Sequence, residues 1–172
     1  MLLQTKKFLL YAVALSLALP SLAHALNWYS YGGHDYAKTS AAMYWLAAEA
    51  EAVAQGGHLV TINDATEESW LQTTFGTANL WIGFTDQETE GTWKWISNEP
   101  VTYTNWAPGE PNNFGGGEDY AVMNWSGIKW NDLPNYYNHY GVIEVSAVPL
   151  PGALSLLGAG LLGLVGLRRK LR

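Results

Sequence analysis

The rhythm of apolar positions divides the chain. Between Thr39 and Gly76 they are spread among Ala, Glu and Thr and bounded by helix-ending signals, whereas from Leu80 to Val145 they form short aromatic and β-branched runs separated by Gly, Pro, Asn and Asp. In the first part Thr39 or Ser40 is a capping candidate for an Ala-rich helix that carries Trp45 and stops at Gly56-Gly57. His58 to Ile62 reads as a short extended link. Asp64, three residues before Glu67, then makes a capping-box-like start to a second helix through Trp70, Leu71 and Phe75, ended by Gly76. Strands are expected at Trp28 to Tyr31, Leu80 to Thr85, Thr92 to Ile96, Ala121 to Trp125, Ile128 to Asn131 and Gly141 to Val145, with Gly127 turning a hairpin. Helices followed by many strands predict an α+β domain. Ser97 to Asp119 has little periodicity and many Gly, Pro and Asn residues, and a loop that long in a compact domain is usually functional.

The two ends follow different rules. Lys6 and Lys7 precede an apolar run from Phe8 to Leu19, and Ala23-His24-Ala25 has the small-x-small cleavage pattern, so residues 1–25 are expected to be a signal peptide and the mature chain to start at Leu26. An uncleaved anchor is the alternative, but the run is shorter than the ~20 residues a spanning helix needs. At the other end Val148-Pro149-Leu150-Pro151 opens an apolar, Gly-rich run from Gly152 to Leu167, closed by Arg168-Arg169-Lys170. This is a short hydrophobic segment with a basic cytoplasmic stop. It resembles the PEP-CTERM class of bacterial sorting tails in its Val-Pro-Leu-Pro variant. The resemblance implies a Gram-negative bacterium that makes extracellular polysaccharide, a transient inner-membrane anchor at residues 148–172, and removal by an exosortase-type processing enzyme, with a permanent anchor as the alternative.

Residues 26–147 suit one domain. All fifteen Asp and Glu residues lie there against Lys38, Lys94 and Lys129, a formal charge of −12. A nucleic-acid partner is excluded on this basis, since phosphate recognition needs a basic face. Binding a cation would relieve the self-repulsion.

The candidate chemistry sits in and after the long loop. Glu110-Pro111-Asn112, then Glu118-Asp119, then Trp130-Asn131-Asp132 align oxygen-bearing side chains suited to a hard cation. Ca²⁺ takes roughly 6–8 oxygen ligands, whereas Mg²⁺ wants a tighter octahedron and a transition metal would want His or Cys. Solvated acids in a Gly-rich loop are the plainer reading of any one of these motifs taken alone.

These motifs stand in a longer series: Trp45, Gly56-Gly57-His58-Leu59-Val60-Thr61-Ile62, Trp81-Ile82-Gly83-Phe84, Glu90-Gly91-Thr92-Trp93-Lys94-Trp95 and Asn105-Trp106. With them, the chain from about Asp35 to Val145 resembles a C-type lectin-like domain, the calcium-dependent carbohydrate-recognition fold. That implies two helices packed on small antiparallel sheets with a long calcium-binding loop. It implies a primary Ca²⁺ held by Glu110, Asn112, Glu118, Asn131 and Asp132, with Pro111 in cis. A second, auxiliary Ca²⁺ would use Asp86, Glu90, Asn113 and Asp119, with Glu118 shared; Asn113 stands where the family usually has Asp, which should weaken that site. Cysteine, which ordinarily supplies two bridges in this family, is absent; Ala52 and Ile143 occupy the positions of one bridge, Tyr120 and Asn135 those of the other. A missing bridge typically costs about 2–5 kcal/mol, so calcium is expected to matter more for folding here.

Sugar binding follows from the resemblance. Vicinal hydroxyls can reach the ion, donate to a carboxylate and accept from an amide, so each group is satisfied. The carbohydrate contacts would be Glu110, Asn112, Glu118 and Asn131, with Phe114 and Trp125 as candidate aromatic faces, although fixing the loop or filling the core is the plainer role for both. The Glu-Pro-Asn order implies mannose-like sugars, including glucose, N-acetylglucosamine and suitably oriented fucose. The expected partner is a glycan or exopolysaccharide. Paired carboxylates also serve glycoside hydrolysis, but acids that hold a cation stay ionised and a general acid must carry a proton; no enzyme is expected. The rival reading keeps the fold but makes the protein a calcium-stabilised structural or adhesive component of the matrix without sugar specificity.

Overall fold

The computed structural model describes residues 26–146, so the expected signal peptide and sorting tail lie outside the described residues. The elements run β1 (Tyr29–Tyr31), β2 (His34–Lys38), α1 (Trp45–Ala54), β3 (His58–Leu59), α2 (Ala65–Phe75), β4 (Leu80–Thr85), β5 (Lys94–Trp95), β6 (Tyr120–Met123), β7 (Asn131–Leu133) and β8 (Tyr140–Ser146). The α+β expectation is met. The strand bounds shift: β5 is confined to Lys94–Trp95, β6 runs Tyr120–Met123, and β7 begins at Asn131, with Trp130 in a bridge to Trp106; β2 is a strand that the apolar pattern does not predict.

Helix ends show how local chemistry and the fold divide the work. Asp64 caps α2 as expected, accepting the N–H groups of Thr66 at 2.7 Å and Glu67 at 2.9 Å. Glu67 closes the box one residue earlier than the motif predicts, on the N–H of Asn63 at 2.8 Å. By contrast, neither Thr39 nor Ser40 caps α1. The helix starts later, at Tyr44, which offers no side-chain cap, and the orphan N–H of Leu46 is taken by Asn135 Oδ1 at 3.0 Å. The end of α1 at Gly56-Gly57 is as expected: Gly56 has φ +90° and Gly57 N–H returns to Ala52 O at 3.1 Å.

The strands form one sheet in the order β1-β2-β8-β4-β6-β7, with β3 on β8 and β5 on β4. It is mixed: β4 and β8 pair in parallel, while the other pairs are antiparallel. Strand β4 is buried along its whole length, which fits a central strand covered on both sides. Its Gly83 is demanded by packing, since a Cβ there would lie 2.3 Å from Leu59 O. One side of the core gathers Leu71, Ile82, Phe84, Trp95 and Trp130; the other gathers Trp45, Leu59, Trp81 and Tyr120. Trp45 is locked in place by its ring N–H on Ile82 O at 2.8 Å and by Tyr120, whose ring lies 4.7 Å away. Tyr120 and Asn135 thus both bear on the first turn of α1, and Ala52 and Ile143 are both fully buried. From this frame the segment between β5 and β6 emerges as a long, irregular excursion, as the sequence predicted.

Candidate metal centre

The loop residues and strand β7 meet through Asp132. Its side chain is fully buried and accepts the N–H of Asn112 at 3.2 Å on one oxygen and that of Asn113 at 2.7 Å on the other. Those bonds hold the Glu110-Pro111-Asn112 turn against the strand, with the Glu110-Pro111 peptide in cis. Glu118 is also buried and accepts the N–H of Phe114 at 2.7 Å. Asn113, at φ +46°, closes the intervening Gly-rich turn by accepting Gly117 N–H at 2.5 Å and Glu118 N–H at 3.1 Å on its side-chain oxygen.

Electrostatics confirm that the acids crowd one another. Burial, then the charge and contact of Asp132, then the charge of Glu118, push the Glu110 carboxyl above its ordinary range. Glu118 is also raised, by burial first and by Asp132, against the opposing N–H of Phe114. Asp86 is raised by burial and by the charges of Asp119 and Asp132, against the N–H of Gly91. Glu90 is raised by partial desolvation and then by Asp86, Asp119 and Asp132. The acids expected around two ions therefore form one field of mutually repelling charges, reaching from Asp86 and Glu90 through Asp119 to Asp132.

Several oxygens in this field have nothing to bond. Glu110 Oε2, Asn131 Oδ1 and Asp86 Oδ1 are buried without a hydrogen-bond partner. An acceptor buried without a donor costs about 1–3 kcal/mol, and all three are hard oxygen donors of the kind calcium takes. Asn131 is oriented by its own amide, which donates to Asp132 O at 2.7 Å and leaves the carbonyl oxygen free. On this test the residues fit a hard cation. The set mixes carboxylates with amides; among the described residues no three His, Cys, Asp or Glu side chains alone are arranged to hold a metal. Of the remaining expected ligands, Asn112 is exposed and is tied by its backbone, while Asn113 has its oxygen engaged by two N–H groups.

Phe114 is 82% exposed beside the turn and Trp125 is 45% exposed, so neither fills the core. The sequence reading missed Glu68, a buried helix acid bonded to Trp130, the residue before Asn131. Its spacing to Leu71 and Phe75, three and seven residues on, was the available signal that it faces inward.

The chain as a whole resembles known proteins. Residues 41–142 match the Lectin C-type domain family, and residues 147–170 match the PEP-CTERM protein-sorting motif. The chain is 33% identical over 138 residues to the hepatic lectin of Gallus gallus, a match that covers 79% of this chain and 65% of that protein, just under two thirds of its length. The cow C-type carbohydrate-recognition domain of CD23, solved in the presence of a GlcNAc2Man3 oligosaccharide, superposes with a TM-score of 0.66 at 34% identity, covering 70% of this chain and 94% of that one. A calcium-independent type II antifreeze protein superposes equally well, with a TM-score of 0.66 at 29% identity over 73% of this chain and 99% of its own.

Proposed function

Because the chain belongs to the Lectin C-type domain family, we propose that it is an exported carbohydrate-binding protein whose long loop binds calcium and, through it, sugar hydroxyls. The observation that carries this reading is the set of unpartnered, buried oxygens on Glu110, Asn131 and Asp86 within a field of repelling acids. Glu110, Asn112, Glu118, Asn131 and Asp132 would hold the primary ion, and Asp86, Glu90, Asn113 and Asp119, with Glu118 shared, a second. Bound calcium supplies the positive charge that these oxygens lack and open positions for vicinal hydroxyls. Asp132 braces the turn against β7, and Glu110, Asn112, Glu118 and Asn131 present acceptors and amide donors to a sugar. Phe114, exposed beside them, offers a ring to the apolar C–H face. The Glu-Pro-Asn order, through the family resemblance, supports mannose, glucose, N-acetylglucosamine or fucose over galactose, and the GlcNAc2Man3 oligosaccharide present with the CD23 domain is in keeping with mannose and N-acetylglucosamine.

The sorting motif supports delivery to the cell surface or matrix of a Gram-negative bacterium, with the tail processed by an exosortase. The signal peptide at residues 1–25 belongs to the same proposal. Among the described residues no helix is long and apolar enough to cross a membrane. The reading is of a binding protein: no step of bond cleavage is assigned to the acids.

A second reading is favoured by one feature. Both Asp132 oxygens and the Asn113 oxygen already bond loop N–H groups, so calcium would complete and rigidify a loop that is already partly built. On this reading the chain is a calcium-stabilised structural or adhesive matrix protein without sugar specificity. A glycan array run with calcium and then with chelator separates the two. Chelator-sensitive signals from mannose-type glycans support the lectin; a calcium-induced rise in melting temperature with no sugar signal supports the rival. Release of reducing ends from an oligosaccharide would overturn both.

A further inference from the structure

Glu68 projects from α2 and is only 3% exposed. A carboxylate so deeply buried is tolerated only when hydrogen-bonded, and three donors meet it. Trp130 Nε1 donates to one oxygen at 2.7 Å, and the Tyr103 hydroxyl and Asn105 Nδ2 each donate to the other at 2.7 Å. These are short, charge-assisted bonds of the strong kind. The orientation of Asn105 is fixed from outside this group, because Lys129 Nζ donates to its Oδ1 at 2.6 Å while its Nδ2 also donates to Ile128 O at 2.8 Å.

The same residues hold both arms of the metal centre. Trp130 N–H donates to Asn105 O at 2.8 Å, Ala107 N–H donates to Trp130 O at 2.9 Å, and Glu110 N–H donates to Ala107 O at 3.0 Å. Asn131 and Asp132 follow Trp130 directly. One arm therefore runs from Glu68 through Trp130 to Asn131 and Asp132; the other runs from Glu68 through Asn105, Trp130 and Ala107 to Glu110. Both lead back to one carboxylate on a helix that contributes no ligand, and they share Trp130 before they part.

We propose that Glu68 is a positioning residue that fixes the Glu110 arm against the Asn131–Asp132 arm, and so sets the calcium affinity of the centre without touching ion or sugar. The claim about affinity rests on the reading of the loop as a calcium site. Glu68→Gln keeps the volume and one acceptor, but its amide NH2 meets a donor whichever way it turns: Trp130 Nε1 on one side, or on the other Asn105 Nδ2, whose other end Lys129 holds. Leu71→Val, in the same helix, is the control: it lowers core stability and has no hydrogen bond to either arm.

The test measures backbone amide exchange and calcium titration calorimetry on both variants and the unaltered chain, below the melting range. In Glu68→Gln, exchange at Ala107 and Glu110 in one arm and at Asn131 and Asp132 in the other is expected to accelerate together and beyond that of β2 and β8, and calcium affinity to fall about 10–100-fold, the usual effect of losing a residue that orients metal ligands. Leu71→Val should change neither selectively. Exchange in Glu68→Gln that rises uniformly, or in one arm alone, overturns the proposal, as does an unaltered calcium affinity. Should the unaltered chain take no calcium, the proposed function fails, while the exchange pattern still decides whether Glu68 holds the two arms.

Discussion

Asn135 accepts the backbone N–H of Leu46 at 3.0 Å, so a side chain 89 residues further along caps the first turn of α1. Tyr120 leans on Trp45 in the same turn. These are the two positions where the family's second bridge would lie, and here each is tied to the helix start by a noncovalent contact.

Replacing Asn135 with Ala should therefore lower unfolding free energy by about 1 kcal/mol, the usual loss of a helix cap. Urea titration followed by tryptophan fluorescence measures it. Calcium affinity should stay unchanged, because the cap lies outside both arms of the centre.

Glu110→Gln gives a result with opposite signs in two conditions. In chelator, removing one of the repelling charges should leave the melting temperature unchanged or slightly raised, since Glu110 Oε2 has no donor to lose. In calcium the unaltered chain should gain stability, about 2.7 kcal/mol at a hundred times the dissociation constant, and the variant should gain far less. Differential scanning fluorimetry with and without calcium reads both.

Buried Glu144 makes stability depend on pH. Burial first, and the charge of Glu67, push its carboxyl from 4.5 up to about 7, against the opposing N–H of Thr61. His34 Nδ1 stands 2.9 Å from it, at ion-pair distance but off hydrogen-bond geometry. The folded chain holds this proton more tightly than the unfolded one, so stability is greatest below the unfolded value and falls as pH rises through about 7, by about 3 kcal/mol in all. Melting in chelator should be higher at about pH 5 than at about pH 8, and Glu144→Gln, which mimics the protonated form, should reduce the difference, leaving the part that Glu67 and the raised loop acids contribute with the same sign.

Gly83→Ala should destabilise by about 1–3 kcal/mol through overpacking, because its Cβ would meet the Leu59 carbonyl at 2.3 Å, a backbone atom that cannot turn aside. Circular dichroism melting checks it. Phe114→Ala is the contrast: at 82% exposure it should leave stability within about 0.5 kcal/mol while weakening mannose-type binding on the array.

The candidate site was proposed from residue order. Glu110, Asn112, Glu118, Asn131 and Asp132 were marked by oxygen chemistry and by motif spacing, and the structure brings Glu110, Glu118 and Asp132 into one electrostatic field and ties Asn112 and Asn131 to Asp132. The helix start at Asp64 and the stop at Gly56-Gly57 were legible, because caps are written within a few residues of the turn they close. The cap of α1 was not, since its acceptor comes from Asn135.

The α+β order of elements, the surplus of acids and the oxygen-rich loop follow from residue order alone, since they depend on neighbours in the chain. That β4 and β8 run parallel, that Phe114 and Trp125 stand outside the core, and that Glu68 reaches Trp130 across 62 residues emerge with folding. The reason is physical: propensity and capping act over a turn or two, whereas a buried carboxylate takes whichever donors folding brings within 3 Å, however distant they are in sequence.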